Sequence, residues 1–274
     1  MVDTGAPVTL IDKNSVATFG LKVANTASTV GGVFGKGWEH YGMSNVQSIA
    51  MGNCMLTNVP VALSDQSSMN AAINSAPTGS HIPTFRQMLH INGLLGAREM
   101  RRFGMIIDCT RQVLYVNPTG SSALVSQKLA GFLAGRGFTK VPMSVNSTNH
   151  FDVQGAINGH PTRFIVDTGA ATTVLAKEIA VRSGVLPGGL PVVSYASDGH
   201  RVYISGGDVD ELAIGDFKIA KAQVALAPIS ADVLRSKTAG EANAGLLGEE
   251  YLSFNFAVID IGGMSLYLRH ADVR

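Results

Sequence analysis

Charge is what this sequence has least of. Only 15% of its 274 residues are charged, where about 25% is usual. The 21 Lys and Arg nearly cancel the 20 Asp and Glu, leaving a formal net charge of +1. Neither a basic field for nucleic acid nor an acidic tail is available. Two cysteines, Cys54 and Cys109, are too few for a disulfide framework or a paired-CxxC zinc site, and both are expected as free thiols. The seven histidines form no HExxH pattern, so no metal is expected. No Gly-x-Ser-x-Gly elbow is present. Gly32 and Gly37 are spaced as in a phosphate loop, but Trp38 follows where Lys is required. No apolar run reaches the roughly 18–20 residues of a membrane span. The opening Met1-Val2-Asp3-Thr4-Gly5 has neither the charged nor the apolar region of a signal peptide.

Apolar residues and glycine are plentiful, at 46% and 31 residues. That composition suits a turn-rich β protein with a substantial core. The main signal is an internal repeat. Asp-Thr-Gly-Ala occurs at 3–6 and again at 167–170, and a given tetrapeptide arises by chance with a probability of only about 10⁻⁵ per position. Gly20 and Gly184 each follow the aspartate by 17 residues, and Gly35 and Gly199 by 32. Residues 48–63 match 211–226, and Gly93-Leu94-Leu95-Gly96 matches Gly245-Leu246-Leu247-Gly248. Asp108 and Asp260 each follow the last glycine by 12 residues and read as turn formers. The distance from Asp to this last Gly is 93 in the first copy and 81 in the second. The extra 12 residues fall in a polar stretch between Leu63 and Gly93 that reads as a surface loop.

The chain therefore reads as a tandem duplication, with a first lobe at 1–118, a linker with a short helix at 119–137 and a second lobe at 138–274. Alternation and β-branched residues predict strands at about 43–50, 54–63, 104–108, 113–116, 138–145, 150–157, 162–166, 201–206, 208–214, 217–226, 255–260 and 265–269. Short helices are expected at 12–19, 97–103, 176–183 and 249–253. Asn158-Gly159 marks a hairpin turn, and Phe164-Ile165-Val166 runs straight into Asp167. Residues 138–164 have no counterpart before Asp3, so a chain shortened at its N-terminus, with unpaired backbone in the first lobe, is expected.

One such loop alone is a polar turn that caps a helix. Two loops brought together by a pseudo-twofold axis are different, because two carboxylates at contact distance cannot both ionise. One becomes an acid and the other a base, able to activate a water held between them and to protonate a carbonyl. This is hydrolysis of a peptide bond without a covalent intermediate. Thr4 and Thr168 are placed to tie the loops together, Gly5 and Gly169 allow close backbone approach, and Ala6 and Ala170 keep bulk away from substrate.

With these motifs the chain resembles the retropepsin-like aspartic proteases, as one tandem chain rather than a homodimer. Ala after Gly, and the short lobes, resemble retroviral-type and bacterial relatives more than pepsin. The resemblance implies an all-β fold: two acid-protease-like β-barrel lobes about a pseudo-twofold axis, with few short helices. It implies Asp3 and Asp167 as the catalytic pair of an aspartic endopeptidase, with Leu94-Leu95-Gly96 and Leu246-Leu247-Gly248 packed against their loops. It also implies β-hairpin flaps, placed by position at 31–38 and 194–201, with Phe34, Gly35, Trp38, Tyr195 and Gly199 as substrate-contacting candidates. A peptide or protein substrate, no cofactor and a monomer with an internal pseudo-dimer are expected. A periplasmic or secreted setting is favoured over a cytoplasmic one if a leader has been lost. Two other readings stay open: a peptide-binding module without catalysis, and a single competent lobe that dimerises through Asp167.

Overall fold

The computed structural model describes residues 1–30, 39–75, 90–195, 201–230, 233–234 and 243–271, with backbone alone at 25–30, 39–41, 72–75, 194–195 and 201. In the first half β1 (Leu10–Asp12), β2 (Ala24–Val30), β3 (Glu39–Met51) and β4 (Cys54–Ser64) are followed by α1 (Ser67–Ser75) and β5 (Gly93–Leu94). Then come α2 (Ala97–Arg102), β6 (Ile106–Asp108) and β7 (Val113–Tyr115). Helix α3 (Ala123–Ala134) leads to β8 (Thr139–Val145), β9 (Phe151–Ile157), β10 (His160–Val166) and β11 (Val174–Ala176). After α4 (Lys177–Arg182) run β12 (Pro187–Tyr195), β13 (Arg201–Ile214), β14 (Phe217–Ala227) and β15 (Asn243–Leu247). The chain ends through α5 (Glu249–Phe254), β16 (Val258–Asp260) and β17 (Ser265–Leu268).

The duplication is visible in the pairing. The first half orders its sheet β2-β3-β4-β1-β5, and the second half repeats it as β12-β13-β14-β11-β15. Register is kept: Leu10 pairs with Ala62 in parallel and with Leu94 antiparallel, and the equivalent Val174 pairs with Ala225 and Leu246. The halves meet where β6 pairs antiparallel with β16. Ile107 and Ile259 occupy the same repeat position and face each other there, so the pseudo-twofold axis passes between them.

The second half closes further. Asn158 and Gly159 both take positive φ, the geometry of a two-residue hairpin turn. The β9–β10 hairpin they form pairs with β15 on one side and β13 on the other, making a closed barrel. In the first half the described strands form an open sheet, to which Val2 adds one parallel bridge with Leu95. The N-terminal stretch is nonetheless paired: Met1 O accepts from Leu95 N, and Asp3 N donates to Leu95 O.

One core runs through both halves. Leu56, Val59, Val61 and Met100 share it with Phe151, Phe164, Leu247 and Ile259. Full burial of each such side chain stabilises by about 1.5–3 kcal/mol. Helix α3 packs Leu129 and Leu133 on Val258 and Tyr267, which fixes the linker against the shared sheet.

Several expectations need correction. The helix expected at 12–19 is a single 3₁₀ turn at Lys13–Ser15, because the Asp12 side chain accepts from Asn14 N and caps a tight turn. The polar stretch after Leu63 contains α1, which buries Met69 and Asn70. Strand β13 is continuous through Gly206-Gly207, where a break was expected. A Cβ on Gly207 would lie 2.9 Å from Val185 and 3.0 Å from Leu226, so that glycine serves close packing. Strands β1, β2, β5, β11, β12 and β15 were not anticipated. Four of them are five residues or fewer, too short for alternation to register.

Candidate active site

Each half delivers its Asp-Thr-Gly-Ala turn in the same way. Asp3 N donates to Leu95 O and Asp167 N to Leu247 O, both at 3.0 Å. The Gly-Leu-Leu-Gly segments thus hold the turns in place. Their glycines are needed because backbones cross there. A Cβ on Gly96 would lie 2.3 Å from the Val8 carbonyl, and one on Gly248 2.4 Å from the carbonyl carbon of Thr172.

The two turns interlock. Thr4 N donates to Thr168 Oγ1 (3.1 Å) and Thr168 N to Thr4 Oγ1 (3.0 Å). Thr4 Oγ1 donates onward to Val166 O (2.7 Å), and Thr168 Oγ1 to Val2 O (3.1 Å). Thr4 is fully buried, so these bonds act away from water, where a lost partner is costly.

Above the threonines lie Asp3 and Asp167, both buried. Asp3 Oδ1 accepts from Gly5 N (2.9 Å) and Ala6 N (3.1 Å). Asp167 Oδ1 accepts from Gly169 N (2.8 Å) and Ala170 N (3.1 Å). Each carboxyl also packs on the opposite glycine. A Cβ on Gly5 would sit 2.4 Å from Asp167 Oδ1, and one on Gly169 2.5 Å from Asp3 Oδ1. Neither glycine has positive φ, so space rather than backbone freedom requires them.

The electrostatics follow from this geometry. Burial, and then the Asp167 charge, push the Asp3 carboxyl up to about 7. Burial also raises Asp167, while hydrogen bonds from Gly169, Ala170 and Asp3 favour its ionised form. Both carboxyls are thus raised above the ordinary range, burial being the largest cause for each.

Supporting residues not singled out from the sequence complete the site. Thr9 Oγ1 accepts from Gly96 N, and Thr173 Oγ1 from Gly248 N. Glu99 accepts from Thr9 N and Oγ1, and Glu250 from Thr173 N. Both threonines follow their aspartate by six residues, a signal available in the repeat. The glutamates follow their glycines by three and by two, and that shift hid them. Asp108 and Asp260 accept from Arg111 N and Gly263 N, as turn formers do.

Of the flap candidates, Phe34, Gly35, Trp38 and Gly199 lie outside the described residues. Tyr195 ends β12, with its backbone paired to Arg201, and its side chain lies outside them. The arms of the two hairpins are in place: β2 pairs with β3 up to Val30–Glu39, and β12 with β13 up to Tyr195–Arg201.

The sequence model of a family described as aspartyl protease matches residues 1–98 and 153–251. These segments together make up more than two thirds of the chain and include both Asp-Thr-Gly-Ala turns. No curated protein matches the chain. Among solved structures it is similar to a retropepsin-like aspartic protease from Rickettsia conorii, at 21% identity over 48% of this chain and 91% of that one, with a TM-score of 0.31. It is also similar to the EIAV protease complexed with the inhibitor HBY-793, at 19% identity over 40% of this chain and 90% of that one, with a TM-score of 0.29.

Proposed function

The chain belongs to the aspartyl protease family, and from that premise we propose that it is an aspartic endopeptidase whose single active centre is the Asp3–Asp167 pair, one carboxyl from each lobe. The lobes are residues 1–118 and 138–274, joined by the linker at 119–137, and the active form is a monomer with an internal pseudo-dimer. The substrate is a peptide or protein chain laid across the two turns beneath the β2–β3 and β12–β13 hairpins.

In this reading Asp167 is the ionised base and Asp3 the protonated acid. A water held between them gives a proton to Asp167 as its oxygen adds to the scissile carbonyl carbon. Asp3 gives its proton to the carbonyl oxygen, forming a neutral gem-diol. On collapse one hydroxyl proton returns to Asp3, the C–N bond breaks, and the proton on Asp167 passes to the leaving amine. The pair ends with the single proton it began with. Thr4, Thr168, Gly5 and Gly169 keep the carboxyls at contact distance, and Ala6 and Ala170 leave room for the substrate backbone.

The observation that carries this reading is the packing of each buried carboxyl on the opposite turn's glycine, since contact between two carboxyls divides them into acid and base. The test is digestion of an unfolded protein from about pH 3 to pH 7 by the wild type, Asp3→Asn and Asp167→Asn. Cleavage by the wild type is expected on the acid side and to fade as pH rises through about 7, where Asp3 loses its proton. Either variant should lose at least about 10³-fold in kcat. Cleavage surviving in both variants would overturn the proposal.

A further inference from the structure

The two halves differ most in what covers their sheet edges. In the second half β17 lies between β16 and β8, and β13 pairs with β14 on one side and with both β12 and β9 on the other. The antiparallel β8–β9 hairpin therefore covers two edges at once. Residues 139–142 of β8 pair with 265–268, and 155–157 of β9 pair with 212–214.

The equivalent edges of the first half are open among the described residues. Register identifies them. Val113, Leu114 and Tyr115 of β7 pair with β6 as Ser265, Leu266 and Tyr267 pair with β16. Ile49, Ala50 and Met51 of β3 pair with β4 as Leu212, Ala213 and Ile214 pair with β14. Strand β7 ends its sheet, and no described strand lies along its other side or beside 49–51 opposite β4. The side chains record the difference. Tyr267 is 2% exposed and Tyr115 52%. Leu212, Ala213, Ile214 and Leu266 are buried, whereas Ile49, Met51 and Leu114 are half-buried and Ala50 is exposed. Edge strands are commonly protected from pairing by charge, proline or a bulge. Residues 49–51 and 113–115 contain no charge and no proline, and their ladders with β4 and β6 show no register shift.

We propose that these two edges form one docking surface for a β-hairpin of a separate polypeptide, which adds its strands to β7 and β3 as β8 and β9 add to β17 and β13. The described residues supply no such hairpin to the first half, because 139–157 are engaged in the second. That hairpin states what the partner must bring. Strands β8 and β9 have 7 residues each. Val141, Met143, Phe151, Val153 and Ile157 alternate into the core. Gly155 stands where β9 crosses β13, and a Cβ there would lie 2.2 Å from Ala213 O. The partner is thus a pair of extended strands of similar length, with alternating apolar residues and a glycine at the crossing of Ala50. Main-chain bonds along the edges supply affinity, and alternate side chains supply specificity.

This inference goes beyond the catalytic reading, and its readout needs no turnover. The probe is a synthetic peptide of residues 138–158 of this chain, closed through its ends so that the hairpin is preformed. It is added to the whole chain at about pH 8, above the range in which cleavage is expected. Amide hydrogen exchange is followed at 49–51 and 113–115, with the thermal midpoint beside it. Bound peptide should slow exchange at both stretches at least about tenfold and raise the midpoint. The same peptide with Gly155→Val should bind at least about tenfold more weakly, because its side chain meets the β3 backbone. Tyr115→Lys and Ala50→Lys alter exposed side chains, so the free protein should keep its fold while the peptide is weakened by a similar factor. Exchange unchanged at either stretch with peptide in excess would overturn the proposal. Amides already protected in the free protein would also overturn it, by placing other residues of the chain on these edges. Protection that rises with protein concentration alone would make the occupant a second copy and overturn it likewise.

Discussion

Thr4 and Gly5 carry different duties within one turn. The Thr4 hydroxyl is a donor to Val166 O and an acceptor from Thr168 N. Thr4→Val keeps the shape but leaves both partners unbonded in a buried place, at a cost of about 1–3 kcal/mol each. A loss of roughly 2–6 kcal/mol is expected in urea denaturation, and Thr4→Ser should recover most of it. Gly5→Ala asks a different question. Its Cβ would collide with the Asp167 carboxyl, so activity is expected to be lost by displacement of the acid–base pair with both aspartates intact. Retention of wild-type kcat by Gly5→Ala would show that the carboxyls do not need this contact.

Among the elements, the duplication repeats backbone conformation even where it does not repeat sequence. Asn58 and Lys221 are equivalent positions and both have positive φ, as do Gln112 and Met264. Gly104 and Phe256 form a third such pair, so a left-handed residue is required whichever side chain stands there. The backbone crossings behave likewise. A Cβ on Gly245 would lie 2.0 Å from Val174 O, whereas one on Gly206 finds nothing closer than Gly188 O at 3.6 Å. Gly245→Ala should therefore destabilise by at least about 3 kcal/mol, and Gly206→Ala should be tolerated within about 1 kcal/mol. Thermal midpoints of the two variants, measured side by side, check the contrast.

At the scale of the whole molecule, the carboxyl pair links pH to stability. The Asp3 carboxyl is raised from 3.8 to about 7 on folding, so the folded chain binds this proton more tightly than the unfolded one. Its contribution is complete below about pH 4, shrinks as pH rises, and is lost above about pH 7. The span corresponds to roughly 4 kcal/mol. The thermal midpoint of the wild type should fall between pH 4 and pH 7 by about 8 °C or more from this source. Asp3→Asn should flatten that slope and be the more stable protein at pH 7. A slope equal in wild type and variant would place the linkage in other groups. The burial of Asp3, and then the nearby Asp167 charge, thus make the molecule weaker near neutrality.

Much of this protein was legible in one dimension, because a duplication writes its evidence twice. Asp3 and Asp167, their flanking Thr, Gly and Ala, the Gly-Leu-Leu-Gly segments and the β-rich character follow from residue types recurring at matched distances. Short strands such as β1 and β15 were not legible, since three to five residues carry no period. Nor was α1, whose polar composition gives way to burial of Met69 and Asn70. Glu99 and Glu250 escaped notice because tertiary contact brings them to equivalent threonines from unequal sequence positions. Sequence by itself determined which groups the chain repeats and at what spacing, because covalent order sets those. Only the tertiary structure decided that the two turns interlock and that both carboxyls are buried on each other's glycines, because those contacts depend on distance and burial across the interface between the halves.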